Sequence, residues 1–202
     1  AYRSPTTLAE AVVLLGATDK RARPVAGGTD AVVQLRTGRL QADVLVDVKR
    51  IPELNELSFD LVKGLTIGAA VPCARISANA DVRARYPALL ESASLIGGMA
   101  IRNRATFGGN LCNAAPSADS VPSMIVHYGE CKVTGPQSTR TVQVEAFNVA
   151  LGQTVLQPGE LLVAIHFPVP PAHTGAAYER FTPRHEMDIA VCGCGTSVTL
   201  SA

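Results

Sequence analysis

Arg23-Pro24-Val25-Ala26-Gly27-Gly28-Thr29-Asp30 is the stretch on which the reading of the fold turns. Arg23 to Ala26 reads as a short strand, the glycine doublet as a turn, and Ala31 to about Thr37 as a helix. Upstream, Thr7 and Glu10 stand at capping-box spacing. Leu8, Ala11, Val12 and Leu15 then repeat on one helical face. Downstream, Val44-Leu45-Val46-Asp47-Val48 is a strand rich in β-branched residues, ended by Arg50-Ile51-Pro52-Glu53. Residues 1–56 therefore form a helix–strand–helix–strand unit. The doublet itself has two uses. Glycine tolerates positive φ and lets backbone N–H groups approach a ligand, and successive N–H groups form an anion-binding nest. An ordinary tight strand-to-helix turn needs the same residues, and spacing leaves both readings open.

From residue 57 the pattern changes. Leu57 to Phe59 and Leu65 to Ile67 read as strands across a turn at Lys63-Gly64. Helices are expected over 72–80 and 87–96, each opening at a proline. Gly97 to Asp119 reads as loop, followed by a short helix over 119–126. Cys131 to Thr134 and Thr141 to Val144 are strands across a Gly-Pro turn, and Leu161 to Phe167 is another strand. Pro168-Val169-Pro170-Pro171 reads as a linker, closing a second unit over 57–172. Ala176 to Phe181 and Ile189 to Leu200 read as strands that begin a further unit over 173–202. The class is α+β.

Thr106-Phe107-Gly108-Gly109-Asn110 is a second glycine loop, combining a hydroxyl, a carboxamide and two residues without side chains. Such a surface lets a ligand lie flat. Asp119, nearby, is either a helix cap or an acceptor for sugar hydroxyls. Arg102-Asn103-Arg104 is either a solvated turn or part of the same site. A third doublet is Gly97-Gly98.

Composition removes other classes. The 202 residues carry 18 basic and 17 acidic side chains, too balanced for electrostatic nucleic-acid binding. No run of about 18 apolar residues exists, so no membrane span is expected. The five cysteines show neither CxxC nor paired Cys/His spacing. They read as buried, reduced thiols of a cytoplasmic protein with no metal site of its own. No GxxxxGK[ST], complete GxGxxG or GxSxG motif occurs.

The run Ile101 to Asp119, with Pro24 to Asp30, Leu65 to Ala70, Pro158 to Leu162 and the Tyr178-Glu179-Arg180-Phe181…Met187-Asp188-Ile189-Ala190 segment in order, resembles the FAD-binding medium subunit of the molybdenum hydroxylases. This is the xanthine dehydrogenase and carbon monoxide dehydrogenase family. The resemblance covers essentially the whole chain. It implies a two-subdomain FAD-binding fold of the PCMH (vanillyl-alcohol-oxidase-like) type, with 173–202 as the incomplete start of a C-terminal α+β domain. It implies that Val25, Ala26, Gly27, Gly28, Thr29 and Asp30 bind the pyrophosphate of FAD through backbone N–H groups. Thr106, Gly109 and Asn110 would hold the diphosphate and ribityl region, and Asp119 a sugar hydroxyl. Ile96 and Leu162 match apolar positions that line the flavin or adenine. Arg180 falls where the family usually has lysine near the flavin, where a cation stabilises the reduced, anionic form.

The same resemblance implies an oxidoreductase that is a heteromer, a heterotrimer or its dimer. A molybdenum–pterin cofactor is expected on a large partner subunit and [2Fe–2S] clusters on a small one. Electrons would leave from the flavin to an external acceptor such as NAD, oxygen or a quinone, and no residue of this chain is required as a general acid or base. One alternative is a self-contained FAD-dependent oxidoreductase of the same fold, which would need its own substrate domain. Another is a module that has lost its cofactor.

Overall fold

The computed structural model describes residues 1–17, 19–184 and 188–201. Three parallel strands build the first layer: β1 (Tyr2–Arg3), β2 (Ala22–Val25) and β3 (Val44–Asp47), in the order β1-β3-β2. Helix α1 (Leu8–Gly16) joins β1 to β2, and α2 (Ala31–Arg36) joins β2 to β3. The capping box at the start of α1 forms as its spacing requires. Thr7 Oγ1 accepts from the Glu10 N–H at 3.2 Å, and Glu10 Oε2 accepts from the Thr6 N–H at 2.9 Å. Parallel strands end at one edge, so the turn after β2 and the Asp47-Val48-Lys49 segment after β3 lie side by side. Val48 N–H donates to the Val25 carbonyl at 3.1 Å. Buried Asp47 draws this edge together by accepting from the Tyr2 hydroxyl and from Lys49 Nζ at 2.7 Å.

A 3-10 turn (Pro52–Asn55) leads into an antiparallel sheet. Its strands are β4 (Leu57–Asp60), β5 (Gly64–Gly68), β6 (Glu130–Thr134), β7 (Thr139–Gln143) and β10 (Leu161–Phe167), ordered β4-β5-β10-β6-β7. Helices α3 (Cys73–Ala78), α4 (Ala80–Arg85), α5 (Pro87–Leu95), α6 (Met99–Arg102), α7 (Phe107–Asn113) and α8 (Ser120–Val126) connect β5 to β6. After β7 come α9 (Val144–Phe147) and the small hairpin of β8 (Asn148–Ala150) and β9 (Gln153–Thr154). Ile76, Leu89, Phe107, Leu111 and Met124 from the helices share one core with Leu65, Ile67, Val133 and Ile165 from the sheet. Each such buried side chain contributes roughly 1.5–3 kcal/mol. Tyr86 stacks edge-on with His127, ring centroids 5.3 Å apart, and its hydroxyl donates to the Pro168 carbonyl at 3.0 Å.

The last pair, β11 (Thr174–Phe181) and β12 (Cys192–Thr199), is an antiparallel hairpin. It lies on α5 and α8, where Glu91 accepts from the Tyr178 N–H at 2.6 Å. Among the described helices none is long and apolar enough to cross a membrane.

Three expectations are corrected. Of the five cysteines expected to be buried, Cys73 and Cys131 are, whereas Cys112 and, on the exposed strand β12, Cys192 and Cys194 are not. The helix expected over 72–80 stops at Ala78, because Asn79 takes an extended conformation. Its side chain then caps α4 by accepting from the Val82 N–H at 3.0 Å. The region 97–119, expected to be loop, contains α6 and α7, with Gly108 and Gly109 inside α7. Glycine costs about 1 kcal/mol at a helix position. The N-cap offsets this, since Thr106 Oγ1 accepts from the Gly109 N–H at 2.9 Å. Packing also requires Gly108, because a methyl group there would lie 2.6 Å from the Ala69 Cβ.

Candidate functional site

The two glycine loops, 77 residues apart in sequence where they touch, meet in space. Gly27 lies flat on the Arg104–Ala105 backbone, where an added Cβ would overlap the Arg104 carbonyl. The Arg104 side chain returns, and its Nε donates to the Gly27 carbonyl at 3.1 Å. Gln34 of α2 donates to Asn113 Oδ1 of α7 at 2.7 Å, a second tie between the parallel layer and the helices. The second loop is itself anchored. Cys73 N–H donates to the Ala105 carbonyl at 2.8 Å, and Pro72 forms a β-bridge with Thr106.

Between these ties the first loop presents a row of donors. Among the described residues none accepts a hydrogen bond from the backbone N–H of Ala26, Gly27, Gly28, Thr29 or Asp30. Gly28 makes the turn possible with φ +76°, and its carbonyl accepts from the Val32 N–H at 3.0 Å, starting α2. Protein backbone donors are almost always partnered. Five in succession without an acceptor, one on buried Gly27, form a nest suited to a polyanion. Asp30 makes no side-chain cap to α2, and desolvation pushes its carboxyl above the usual range.

The second loop is built differently. Its Gly109 N–H is already held by buried Thr106. A Cβ on Gly109 would meet only the Thr106 hydroxyl, at 3.0 Å. Gly109 thus presents bare backbone to open space, while Gly108 beneath it is closed by the core. Asn110 is fixed by Ser120, whose hydroxyl and N–H donate to Asn110 Oδ1 at 2.6 and 3.3 Å.

Next to Ser120, Asp119 is held through both carboxylate oxygens. Tyr178 donates to Oδ1 at 2.8 Å and Arg180 Nη1 to Oδ2 at 2.9 Å. The Arg180 and Asp119 side chains keep only 10% and 13% of their exposure, so this ion pair is largely removed from water. Burial and the adjoining Asp119 carboxylate raise the Tyr178 hydroxyl pKa, so it stays a donor. Arg180 is therefore not a free cation beside the site; its charge is matched by Asp119. Ile96 ends α5 beside Gly97, whose φ is +54° and whose carbonyl accepts from Arg102 Nη1 at 2.7 Å. Leu162, expected to line the flavin or adenine, is buried in the second unit. It lies within β10 at 1% exposure, paired with Val133, so its side chain belongs to the core.

The structure thus brings Gly27 of the first loop onto Arg104 and Ala105, just before the Thr106 cap of the second, ties Asn110 to Ser120, and pairs the neighbouring Asp119 with Arg180. Of the Tyr178 to Ala190 segment, Met187 lies outside the described residues, as do His185 and Glu186. Sequence reasoning missed Gln34, Asn113 and Tyr178 and left Arg104 between two readings. Arg104 stands two residues before a capping threonine, which is the one local signal it carries.

Comparison with known proteins gives the family of the chain. The family described as "FAD binding domain in molybdopterin dehydrogenase" matches residues 1–170. The xanthine dehydrogenase FAD-binding subunit of Escherichia coli O157:H7 is 35% identical over 200 residues, covering 98% of this chain and 68% of that protein. The carbon monoxide dehydrogenase medium chain of Hydrogenophaga pseudoflava is 33% identical over 193 residues, covering 96% and 67%. The solved carbon monoxide dehydrogenase from Hydrogenophaga pseudoflava, in a form lacking the Mo-pyranopterin moiety, superposes with a TM-score of 0.93 at 32% identity, covering 100% of this chain and 69% of that one. Quinoline 2-oxidoreductase from Pseudomonas putida 86 gives 0.91 at 26% identity, covering 100% and 69%. The relatives are subunits of oxidoreductases. By sequence and by fold, the chain belongs to the FAD-binding domains of the molybdopterin dehydrogenases.

Proposed function

We propose that the chain is the electron-transfer subunit of a molybdenum hydroxylase and holds FAD between its two glycine loops. The observation that carries this reading is the row of five acceptor-free N–H groups, Ala26 to Asp30, on the loop that Arg104 ties to the second. The backbone of Val25 to Asp30 holds the diphosphate, as helix-leading nests do. Thr106, Gly109 and Asn110 supply the opposite wall, with Gly109 leaving space for the cofactor to lie against the backbone. Asp119 accepts from a sugar hydroxyl while Tyr178 and Arg180 hold it in place. Ile96 closes an apolar side, and Leu162 supports that side from within the core. Residues 1–56 and 57–172 are read as the two cofactor-clamping subdomains, and 173–202 as the beginning of a C-terminal domain.

When bound, the flavin supplies one- and two-electron redox chemistry. This chain's own residues bind it, orient it and set its surroundings; none is assigned a proton transfer. In the proposed complex, electrons come from a molybdenum–pterin centre on a large subunit through [2Fe–2S] clusters on a small one. They leave to an acceptor outside the complex. The names of the relatives support this arrangement, since they include a medium chain and an FAD-binding subunit. The proposed location is the cytoplasm, in keeping with five free thiols.

Purification with partner chains tests the reading. The complex is expected to show an oxidised-flavin absorbance band that the enzyme's reducing substrate bleaches only when the partners are present. A complex that contains molybdenum and clusters but no flavin would sink it. Bleaching by a substrate of the isolated chain would favour the self-contained alternative.

A further inference from the structure

The Gly27–Gly28 peptide poses a problem that the first loop cannot solve alone. In a trans peptide the carbonyl and the N–H point in opposite directions. Whichever way the Gly27 carbonyl turns, the Gly28 N–H turns the other way. Between two glycines no Cβ opposes rotation of this peptide plane, so the loop's own sterics leave the plane free to turn over. Turned over, the plane would present a carbonyl oxygen where an anion needs a donor.

One residue of the other unit fixes this plane. Arg104 Nε donates to the Gly27 carbonyl at 3.1 Å. The Arg104 main chain lies directly under Gly27, where even a methyl group would overlap its carbonyl. Arg104 is itself held from the core, because the next residue, Ala105, accepts from the Cys73 N–H at 2.8 Å and Thr106 bridges to Pro72. A single residue therefore grips one glycine at two points, its main chain against the Cα and its side chain on the oxygen.

We propose that Arg104 is a positioning residue that holds the Gly27 carbonyl away from the anion site, so that the Gly28 N–H faces it. The inference rests on the FAD reading above. It adds that the diphosphate nest of the first loop is set by a side chain of the second unit. Arg104 acts through the peptide and not as a charge on the ligand. A hydrogen bond from its guanidinium to the oxygen also strengthens the N–H at the other end of the same amide.

The test uses deflavinated protein prepared from the purified complex, with FAD titrated by flavin fluorescence. Arg104→Gln loses the charged donor and is expected to weaken FAD binding about tenfold or more. Arg104→Lys keeps a charged donor able to reach the same carbonyl, and is expected to return affinity to within about threefold of the parent. The thermal midpoints of both flavin-free variants should match the parent. Parent-like affinity in Arg104→Gln overturns the proposal. So does an equal loss in both variants accompanied by a lowered midpoint, which marks a merely structural tie. A parent protein that binds no FAD contradicts the functional reading instead, so the two failures are separable.

Discussion

The two glycine loops look alike in sequence, each a doublet with a threonine within two residues, yet they are built in opposite ways. Residues 26–30 offer donors, five N–H groups without a protein acceptor, and bury Gly27 against the other unit. Residues 106–110 satisfy their own backbone through the Thr106 cap, bury Gly108 against Ala69 and offer Gly109 as bare surface. In each doublet one glycine is closed against backbone, Gly27 and Gly108, and the other is not. In the first loop the second glycine makes the turn at positive φ; in the second loop it clears space. A glycine doublet is thus evidence of close approach, and the neighbours of each Cα decide whether protein or ligand makes that approach.

The packing glycines carry the largest expected effects. Gly27→Ala forces a methyl group into the Arg104 carbonyl, so the units must separate locally. A loss of more than about 3 kcal/mol in denaturant unfolding is expected, with loss of bound flavin. Gly108→Ala should lose about as much, because Ala69 is backbone-bound and cannot yield. A near-neutral outcome at either position breaks the distinction between packing and site glycines.

The Asp119–Arg180 pair comes next. Arg180→Ala strands a largely buried carboxylate with only Tyr178 to satisfy it. An expected loss of about 2–3 kcal/mol reflects that stranded charge. Arg180→Ala in Asp119→Asn background should cost less than the sum of the two changes, and additivity would show that the pair is not coupled.

The smallest effect lies away from both loops and serves as their control. Among the described residues buried His127 has no partner at Nε2, and burial lowers its pKa to about 4. Its ordinary value is near 6.5, so the folded state favours the neutral ring. The stability this contributes is complete above the unfolded value and is lost as pH falls from about 6.5 toward 4. Between pH 8 and pH 5 the expected loss is about 2 kcal/mol. His127→Phe should flatten this acid limb in urea unfolding measured against pH. An unchanged limb would assign the acid sensitivity to other groups.

Much of the fold is legible in the sequence because its signals are local. The capping box of α1, the β-branched run of β3 and the strands around Lys63-Gly64 each announce themselves within a few residues. The helices α6 and α7 do not, because four and seven residues with two glycines carry no apolar period. α7 exists through the Thr106 cap and contact with Ala69, while α6 starts at Gly98 with no side-chain cap. The break at Asn79 had a signal, an Asn-Ala-Asp sequence of N-cap type, inside what reads as one helix. At the site, the two loops were visible as motifs, but their meeting was not. Asp119 and Arg180 lie 61 residues apart, and no spacing rule links them. β10 shows the limit of strand patterning, since in a strand buried on both faces alternation cannot say which residues face a ligand.

The central claim is that Gly109 faces the cofactor while Gly27 and Gly108 face protein. The most direct measurement is the flavin content per chain of purified Gly109→Val, taken from the oxidised-flavin absorbance, beside its thermal unfolding midpoint after flavin removal. The account predicts a folded protein whose flavin-free midpoint falls only modestly, since the added Cβ meets only the Thr106 hydroxyl at 3.0 Å, and which holds little or no flavin, because the rest of the side chain projects into the open space assigned to the cofactor. Full flavin content in a folded Gly109→Val protein would contradict it.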